Sequence, residues 1–124
     1  LLLEFPKTFR NLIENGIKND WTLGYADAIG FRASVAESFF WFDLIENEQT
    51  DLYIHPFQVM DVTLNNYLKL SIEESIAFST RLIENTQLVG GQITVLWHNN
   101  SLSEQGNWKG WRQVMEAIIA KSLS

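Results

Sequence analysis

The chain has 124 residues, of which 46% are hydrophobic and 19% are charged, and its formal net charge is −6. This composition is typical of a globular protein of about one domain, and the negative charge argues against a nucleic-acid or an anionic-membrane surface, so that neutral partners such as sugars or peptides fit better. The sequence has no cysteine, which excludes disulfides, iron–sulfur clusters and thiolate zinc sites, and it has no apolar run of the roughly 18 residues that a membrane-spanning helix needs.

The amino-terminal third predicts one helix followed by two short strands. Pro6 suits the first turn of a helix, the apolar residues after it follow the spacing of one buried face, and Gly16 supplies a left-handed stop. The helix is therefore predicted over residues 6–15. Residues 17–26 and 30–33 are predicted as strands joined by a turn, because Gly24 and Gly30 interrupt a run of aromatic and apolar residues there.

Two further strands are predicted in the middle of the chain. Residues 39–45 and 52–60 are rich in aromatic and β-branched side chains, which favour extended backbone. The polar segment 46–51 lies between them and is predicted as a loop.

The carboxyl-terminal half predicts a helix, a strand and a second helix. Ser71 and Glu74 have the spacing of a capping box, so a helix is predicted to begin there and to run to about Val89, before Gly-Gly. Residues 92–97 are predicted as a strand, and Asn107 as the cap of the last helix. The apolar face of that helix comprises Trp108, Trp111, Met115, Ile118 and Ile119.

This order of elements predicts an α/β fold in one unit spanning residues 1–124. The final elements alternate strand, helix, strand, helix, and residues 93–97 are almost continuously apolar, as a parallel strand covered on both faces requires. No repeat, low-complexity tract or linker divides the chain.

Two polar residues follow predicted strands and are the first candidates for chemistry. Asp61 comes directly after residues 57–60, and His98 comes directly after residues 93–97. Loops at the carboxyl ends of parallel strands converge on one rim, where functional side chains collect. Each residue also has a structural interpretation, since an aspartate after a strand often bonds turn amides and a histidine there can simply bond a loop carbonyl.

Several segments together resemble the carboxyl-terminal part of bacterial polysaccharide deacetylase-like proteins of the NodB homology, or carbohydrate esterase 4, type. The segments are Gly24–Ala33, Phe42–Leu44, Pro56–Leu64 with Tyr67, Leu96–Ser101 and Trp108–Arg112. The resemblance implies the carboxyl-terminal half of a distorted (β/α) barrel, with mostly parallel strands and covering helices. It also implies hydrolysis of acetyl groups from N-acetylated sugars, in which a metal-bound water attacks the amide, an early aspartate is the base and a late-strand histidine protonates the leaving amine.

The same resemblance assigns roles to individual residues. His98 matches the histidine acid, a role that suits an imidazole because imidazoles exchange protons near neutral pH. Asp61 would either hold the imidazolium or orient a sugar hydroxyl. The candidate substrate-binding residues are Arg32, Trp97, Asn99 and Trp108. For Arg32 an ion pair with Asp20 or Asp27 is an equally good interpretation, and Trp111 is assigned to the core.

The metal and the remaining partners are expected outside this chain. The resemblance implies a divalent metal, commonly zinc, held by strands upstream of Leu1. The histidines, His55 and His98, have no metal-ligand spacing, so we expect no metal to bind this chain alone. The resemblance also implies that the chain is part of a larger bacterial domain, and the sequence leaves open whether that domain is cytoplasmic or in the cell envelope. We expect it to pair with its amino-terminal half or with a second copy, covering Phe39, Phe40 or Trp41.

The sequence alone leaves two other functions open. A non-catalytic relative would keep the fold as a carbohydrate-binding or assembly module, and the sequence upstream of Leu1 would distinguish it from an enzyme. An unrelated hydrolase or glycosidase would use a carboxylate pair among Asp43, Asp61 and Glu37, although no Gly-x-Ser-x-Gly nucleophile motif supports it.

Overall fold

The computed structural model describes residues 2–124, which form three α-helices and five short strands. In chain order these are α1 (Lys7–Glu14), β1 (Asn19–Asp20), β2 (Phe39–Asp43), β3 (Glu48–Ile54), β4 (Val59–Met60), α2 (Ile72–Leu88), β5 (Val95–Leu96) and α3 (Arg112–Ser122). A π-helical turn at Thr63–Tyr67 follows β4, and 3₁₀ turns at Asn99–Leu102 and Gly106–Trp108 follow β5. No helix of residues 2–124 has both the length and the apolar character needed to cross a membrane.

The strands form two small sheets, so the predicted α/β class is confirmed. The first sheet has the order β1-β3-β2, with β1 parallel and β2 antiparallel to β3. The second consists of β4 and β5, which are parallel. Two of the three strand pairings are therefore parallel, but the longest pairing, between β2 and β3, is an antiparallel hairpin. The strands of residues 2–124 do not close into a barrel.

Each sheet packs on its own apolar cluster. The smaller cluster joins α1 to the three-stranded sheet through Phe9, Leu23, Leu52 and Ile54. The larger cluster joins α2 and α3 to the two-stranded sheet, and its buried members are Val59, Leu64, Ile83, Trp111, Val114 and Ile118. Burying a side chain of this size stabilises a fold by about 1.5–3 kcal/mol, so these residues hold the helices against the sheets.

The early strands are shorter than the sequence predicts. Only Asn19–Asp20 pairs within the predicted strand 17–26, and residues 30–33 form bends and turns. The predicted loop 46–51 is also wrong in part, because β3 already begins at Glu48. One face of this sheet is exposed to solvent, and an exposed face accepts polar side chains without ending a strand.

The predicted strand 52–60 is interrupted in its middle. β3 ends at Ile54, and β4 begins only at Val59. Pro56 lies in the gap, and a proline has no N–H with which to continue a ladder. Because of this interruption, one apolar segment contributes β3 to the three-stranded sheet and β4 to the two-stranded sheet.

The last helix begins later than predicted. Asn107 lies in a 3₁₀ turn and does not cap α3, which begins at Arg112. Gly110 has φ +83°, a left-handed conformation that separates the turn from the helix. The carboxylate of Glu104 accepts from the backbone N–H of Gly110 at 2.8 Å and of Arg112 at 3.1 Å, so Glu104 satisfies backbone amides at the start of α3.

The aromatic strand β2 is only partly exposed. Phe39 and Trp41 pack against the smaller cluster, whereas the side chain of Phe40 is 48% exposed. β2 also forms an outer edge of its sheet within residues 2–124. Of the three aromatic residues expected at a contact with another chain, Phe40 is thus the most exposed. The contact with another chain stays a prediction.

The predicted capping box of α2 is confirmed. The Ser71 Oγ accepts from the backbone N–H of Glu74 at 3.1 Å, and the Glu74 carboxylate accepts from the N–H of Ser71 at 2.8 Å. We expect Ser71→Ala to lower the free energy of unfolding by about 1 kcal/mol, because the helix amide loses its acceptor. Urea unfolding measures this change. Ser71→Asp, which keeps an acceptor, is the control, and equal losses in both variants would contradict the capping role.

An ion pair attaches α1 to the end of β2. Nε of Arg10 donates to the buried carboxylate of Asp43 at 2.7 Å, and Nη2 of Arg10 donates to Glu46 at 3.2 Å. The hydrogen bond from Arg10 is the largest influence on Asp43 and lowers the pKa of that carboxyl below its ordinary value.

This lowered pKa predicts an acid-sensitive fold. The stabilisation is present above the ordinary carboxyl pKa, near 3.8, and is lost as pH falls through the lower pKa of the folded state. We expect Asp43→Asn to be less stable than wild type near pH 6 and to lose less stability on acidification to about pH 2. Urea midpoints at several pH values measure both effects. Parallel pH profiles for the two proteins would show that Asp43 does not carry this dependence.

Candidate functional site

The parallel pairing of β4 and β5 brings Asp61 and His98 to the same edge of the smaller sheet. Met60 pairs with Leu96 in register, Asp61 follows Met60 directly, and His98 comes two residues after Leu96. Parallel strands end on one side of a sheet, which is why residues 37 positions apart in sequence become neighbours.

Asp61 is fully buried and accepts hydrogen bonds on both carboxylate oxygens. Oδ1 accepts from Nδ1 of His98 at 2.7 Å and from the backbone N–H of Val62 at 2.7 Å. Oδ2 accepts from the backbone N–H of His98 at 2.8 Å and from Oγ of Ser101. With two donors on each oxygen, the carboxylate is occupied by the protein itself. Asp61 therefore fixes the orientation of the His98 ring, and its buried carboxylate has no surface open to a ligand.

This contact determines which nitrogen of His98 is available for chemistry. An ionised carboxylate can only accept, so Nδ1 must carry the hydrogen, and the neutral ring then has its lone pair on Nε2. Nε2 has no hydrogen-bond partner among residues 2–124, and the side chain is 45% exposed. A ring that is held at one nitrogen and open at the other can accept or donate a proton, or bind a metal, at Nε2.

His98 lines a cavity of about 530 Å³, within the size range of small-molecule sites. The walls are formed by Leu3, Trp21, Thr22, Gly24, Ala26, Arg32, Phe57, Met60, Val62, Tyr67, Leu96 and His98. Gly24 is needed for this shape, because a Cβ at that position would lie 2.3 Å from the ring of Phe57. The cavity combines apolar walls with a few polar groups, which is the usual composition of a ligand site.

Arg32 lies in the cavity wall, but without either of the predicted ion pairs. Its Nη1 donates to the backbone carbonyl of Gly24 at 2.9 Å, and the guanidinium lies 6.0 Å from the ring centre of Tyr25. Asp20 instead accepts from the N–H and hydroxyl of Thr22, and within residues 2–124 neither Asp20 nor Asp27 forms an ion pair with Arg32. The expected pairing is therefore wrong, since a local turn occupies Asp20.

The other candidate substrate-binding residues lie away from the cavity wall. Trp97 and Trp108 pack against the larger apolar cluster, and Asn99 is exposed at the start of a 3₁₀ turn. None of the three lines the cavity that holds His98 in the described part of the chain. Their contribution to substrate binding stays a prediction.

Sequence reasoning missed four residues that the structure brings to this site. Trp21, Thr22 and Tyr67 line the cavity, and Ser101 is buried with its hydroxyl on Asp61. A signal for Ser101 existed, because it lies three residues after His98, which is one turn of a 3₁₀ helix. Trp21 and Tyr67 each follow two polar residues, a weak indication that their rings are exposed.

The loop after His98 lies on the same side as Asp61. Ser101 reaches Asp61, and the backbone carbonyl of Asn107 accepts from Nδ2 of Asn65 at 3.0 Å. The loop therefore covers the carboxyl edge of the smaller sheet and shields the Asp61 carboxylate from solvent.

The alternative carboxylate pair does not assemble. Asp43 bonds Arg10 at the end of β2, Asp61 is occupied by its four donors, and Glu37 is exposed. Residues 2–124 also bring together no group of three histidine, cysteine or acidic side chains able to hold a metal.

No protein-family model, no curated protein and no solved structure matches this chain.

The contact with Asp61 predicts an unusual tautomer for His98. We expect the neutral ring to carry its hydrogen on Nδ1, whereas the ring of His55, whose Nε2 lies 3.0 Å from Oδ1 of Asn19, should carry it on Nε2. Long-range ¹⁵N–¹H correlation spectra distinguish the two forms. Asp61→Asn should shift the tautomer equilibrium of His98 and leave that of His55 unchanged. Identical tautomers for both rings in the wild-type protein would contradict the assigned geometry.

Proposed function

We propose that this chain supplies the proton-donating part of an amide hydrolase that removes acetyl groups from N-acetylated sugars. The observation that carries the proposal is the imidazole of His98, which is held at Nδ1 by a buried carboxylate, has no partner at Nε2 among residues 2–124, and lies in the wall of a cavity of about 530 Å³. The substrate class comes from the resemblance to polysaccharide deacetylases of the segments around Arg32, Asp61 and His98.

Proton donation is the chemistry that this arrangement suits. When water has added to an acetamide carbonyl, the carbon–nitrogen bond breaks only if the departing nitrogen gains a proton, because an amide anion is a very poor leaving group. A His98 imidazolium would give its Nε2 proton to that nitrogen, and the products would be acetate and the free amine of the sugar. Asp61 would stabilise the imidazolium through Nδ1 without taking its proton.

The walls of the cavity suit a sugar bearing an acetyl group. The apolar side chains of Phe57, Met60 and Leu96 offer contacts for a methyl group, whereas Thr22 and Tyr67 bring hydroxyls to the same space. A few polar groups in an apolar cavity fix the orientation of a ligand. The guanidinium of Arg32 adds a donor for sugar hydroxyl or acetyl oxygens.

The groups that would activate the attacking water are assigned to parts of the protein outside residues 2–124. We propose that β4 and β5 belong to a larger (β/α) barrel, whose other strands carry the base and the metal that the resemblance implies. The parallel pairing of these two strands supports this architecture. The open outer edge of β2 would then face either that part of the barrel or a second copy of the chain.

A second candidate is a saccharide-binding module without hydrolysis. It is favoured by two exposed aromatic rings in the cavity wall, since Trp21 is 51% and Tyr67 is 55% exposed. Exposed aromatic rings beside hydrogen-bonding groups bind sugars whether or not a reaction follows.

Replacing His98 tests the catalytic proposal. In the longest natural protein that contains this sequence, we expect His98→Ala to lower the turnover of an N-acetylglucosamine oligomer by about 10²-fold or more, because general acid catalysis typically contributes 10²–10⁴-fold. Release of acetate measures the reaction. Asp61→Asn should also lower turnover while leaving the KM nearly unchanged, because Asp61 acts through His98.

The matched control is Glu73→Gln, at an exposed position that does not line the cavity. It should hydrolyse the oligomer at the wild-type rate, and circular dichroism should show that all the variants are folded. Turnover unchanged by His98→Ala would exclude the acid role. Tight sugar binding without any acetate release from the wild-type protein would favour the binding module.

A further inference from the structure

The aromatic ring of Trp21 has an unusual setting at the cavity wall. Its indole stacks on the imidazole of His55, with ring centres 4.3 Å apart and planes inclined by only 10°. One face of the indole is thus covered by a parallel ring. The residue is nevertheless 51% exposed, and it lines the cavity that holds His98.

The ring behind the indole is itself held on both sides. Nδ1 of His55 is 2.8 Å from Oγ of Ser38, and Nε2 is 3.0 Å from Oδ1 of Asn19. Tyr53 packs edge-on against the same imidazole, with ring centres 4.7 Å apart. His55 therefore has both ring nitrogens within hydrogen-bond distance of protein groups, which fixes the orientation of the imidazole on which the indole stacks.

From this geometry we infer that Trp21 is a platform on which one pyranose ring of the substrate stacks, and that His55 is its positioning residue. The C–H groups on one face of a pyranose carry a small positive charge and meet the negative face of an aromatic ring favourably. A ring fixed beforehand loses little conformational freedom on binding, so the support from His55 strengthens the contact. This inference rests on the proposed function, since it names the binding surface for the sugar on which His98 acts.

The neighbours of Trp21 favour a sugar over a purely apolar ligand. Thr22, Arg32 and Tyr67 line the same cavity, and they add the hydroxyl of Tyr67, the guanidinium of Arg32 and the hydroxyl oxygen of Thr22, whose hydrogen is donated to Asp20. An apolar platform ringed by hydrogen-bonding groups matches the amphipathic surface of a pyranose, which has C–H faces and a hydroxylated rim.

Calorimetric titration with a tetramer of β-1,4-linked N-acetylglucosamine tests the platform in the longest natural protein that contains the sequence. We expect Trp21→Ala to weaken binding about 5- to 10-fold, in line with the strength of aromatic contacts, and Trp21→Phe to weaken it less. The matched control is Phe78→Ala, since Phe78 is 50% exposed on α2 and does not line the cavity. It should bind as wild type does.

Two substitutions of His55 separate support of the indole from general stability. His55→Ala should weaken tetramer binding, because the indole loses the ring beneath it. His55→Phe should restore binding, since a phenyl ring can stack without making the two hydrogen bonds. If the hydrogen bonds of His55 alone mattered, His55→Phe would bind as weakly as His55→Ala, and the positioning role would be overturned.

The outcomes distinguish the platform from the proposed function. If the wild-type protein releases acetate but Trp21→Ala binds the tetramer normally, the platform is wrong and the hydrolase proposal stands. If Trp21→Ala loses binding in a protein that releases no acetate, the platform stands and the hydrolase proposal fails. A wild-type protein that does not bind the tetramer at millimolar concentration overturns the platform.

Discussion

The site depends on one buried carboxylate. Asp61 has no solvent contact, and an ionised group in such a place is tolerated only when the protein supplies its hydrogen bonds. Its four donors come from the turn after β4, from the backbone and ring of His98, and from Ser101. The same interaction therefore joins the two strands, anchors the loop that follows β5 and sets the orientation of the imidazole.

The cavity forms where the two halves of the molecule meet. Trp21, Thr22 and Gly24 come from the irregular segment after β1, whereas Met60 and Leu96 belong to the smaller sheet and His98 follows β5. Each half has its own apolar cluster. The interruption at Pro56 makes this possible, because it directs the chain from one sheet to the other. The large side chain of Phe57 then fills the space beside Gly24.

The elements that the sequence predicted well are those specified by neighbours in the chain. The capping box at Ser71 and the helix after it need only residues three or four positions apart. The predicted strand at residues 30–33 and the predicted loop at residues 46–51 are wrong, the second in part, because aromatic or polar composition alone does not decide whether a segment pairs with a sheet. The buried face of α2 is equally hard to recognise in the sequence, since Ser75, Ser79 and Thr86 are buried on it together with Ile83.

By itself the sequence determined the α/β class, the main helices and the placement of Asp61 and His98 after apolar runs, because these follow from local propensity and periodicity. Only the tertiary structure decided that Asp61 is saturated by four donors, and that Nε2 of His98 is the available nitrogen. It also decided that Trp21, and not Trp97 or Trp108, lines the cavity. The physical reason is that these properties depend on strand register and on contacts between distant segments, which no local pattern of residues encodes.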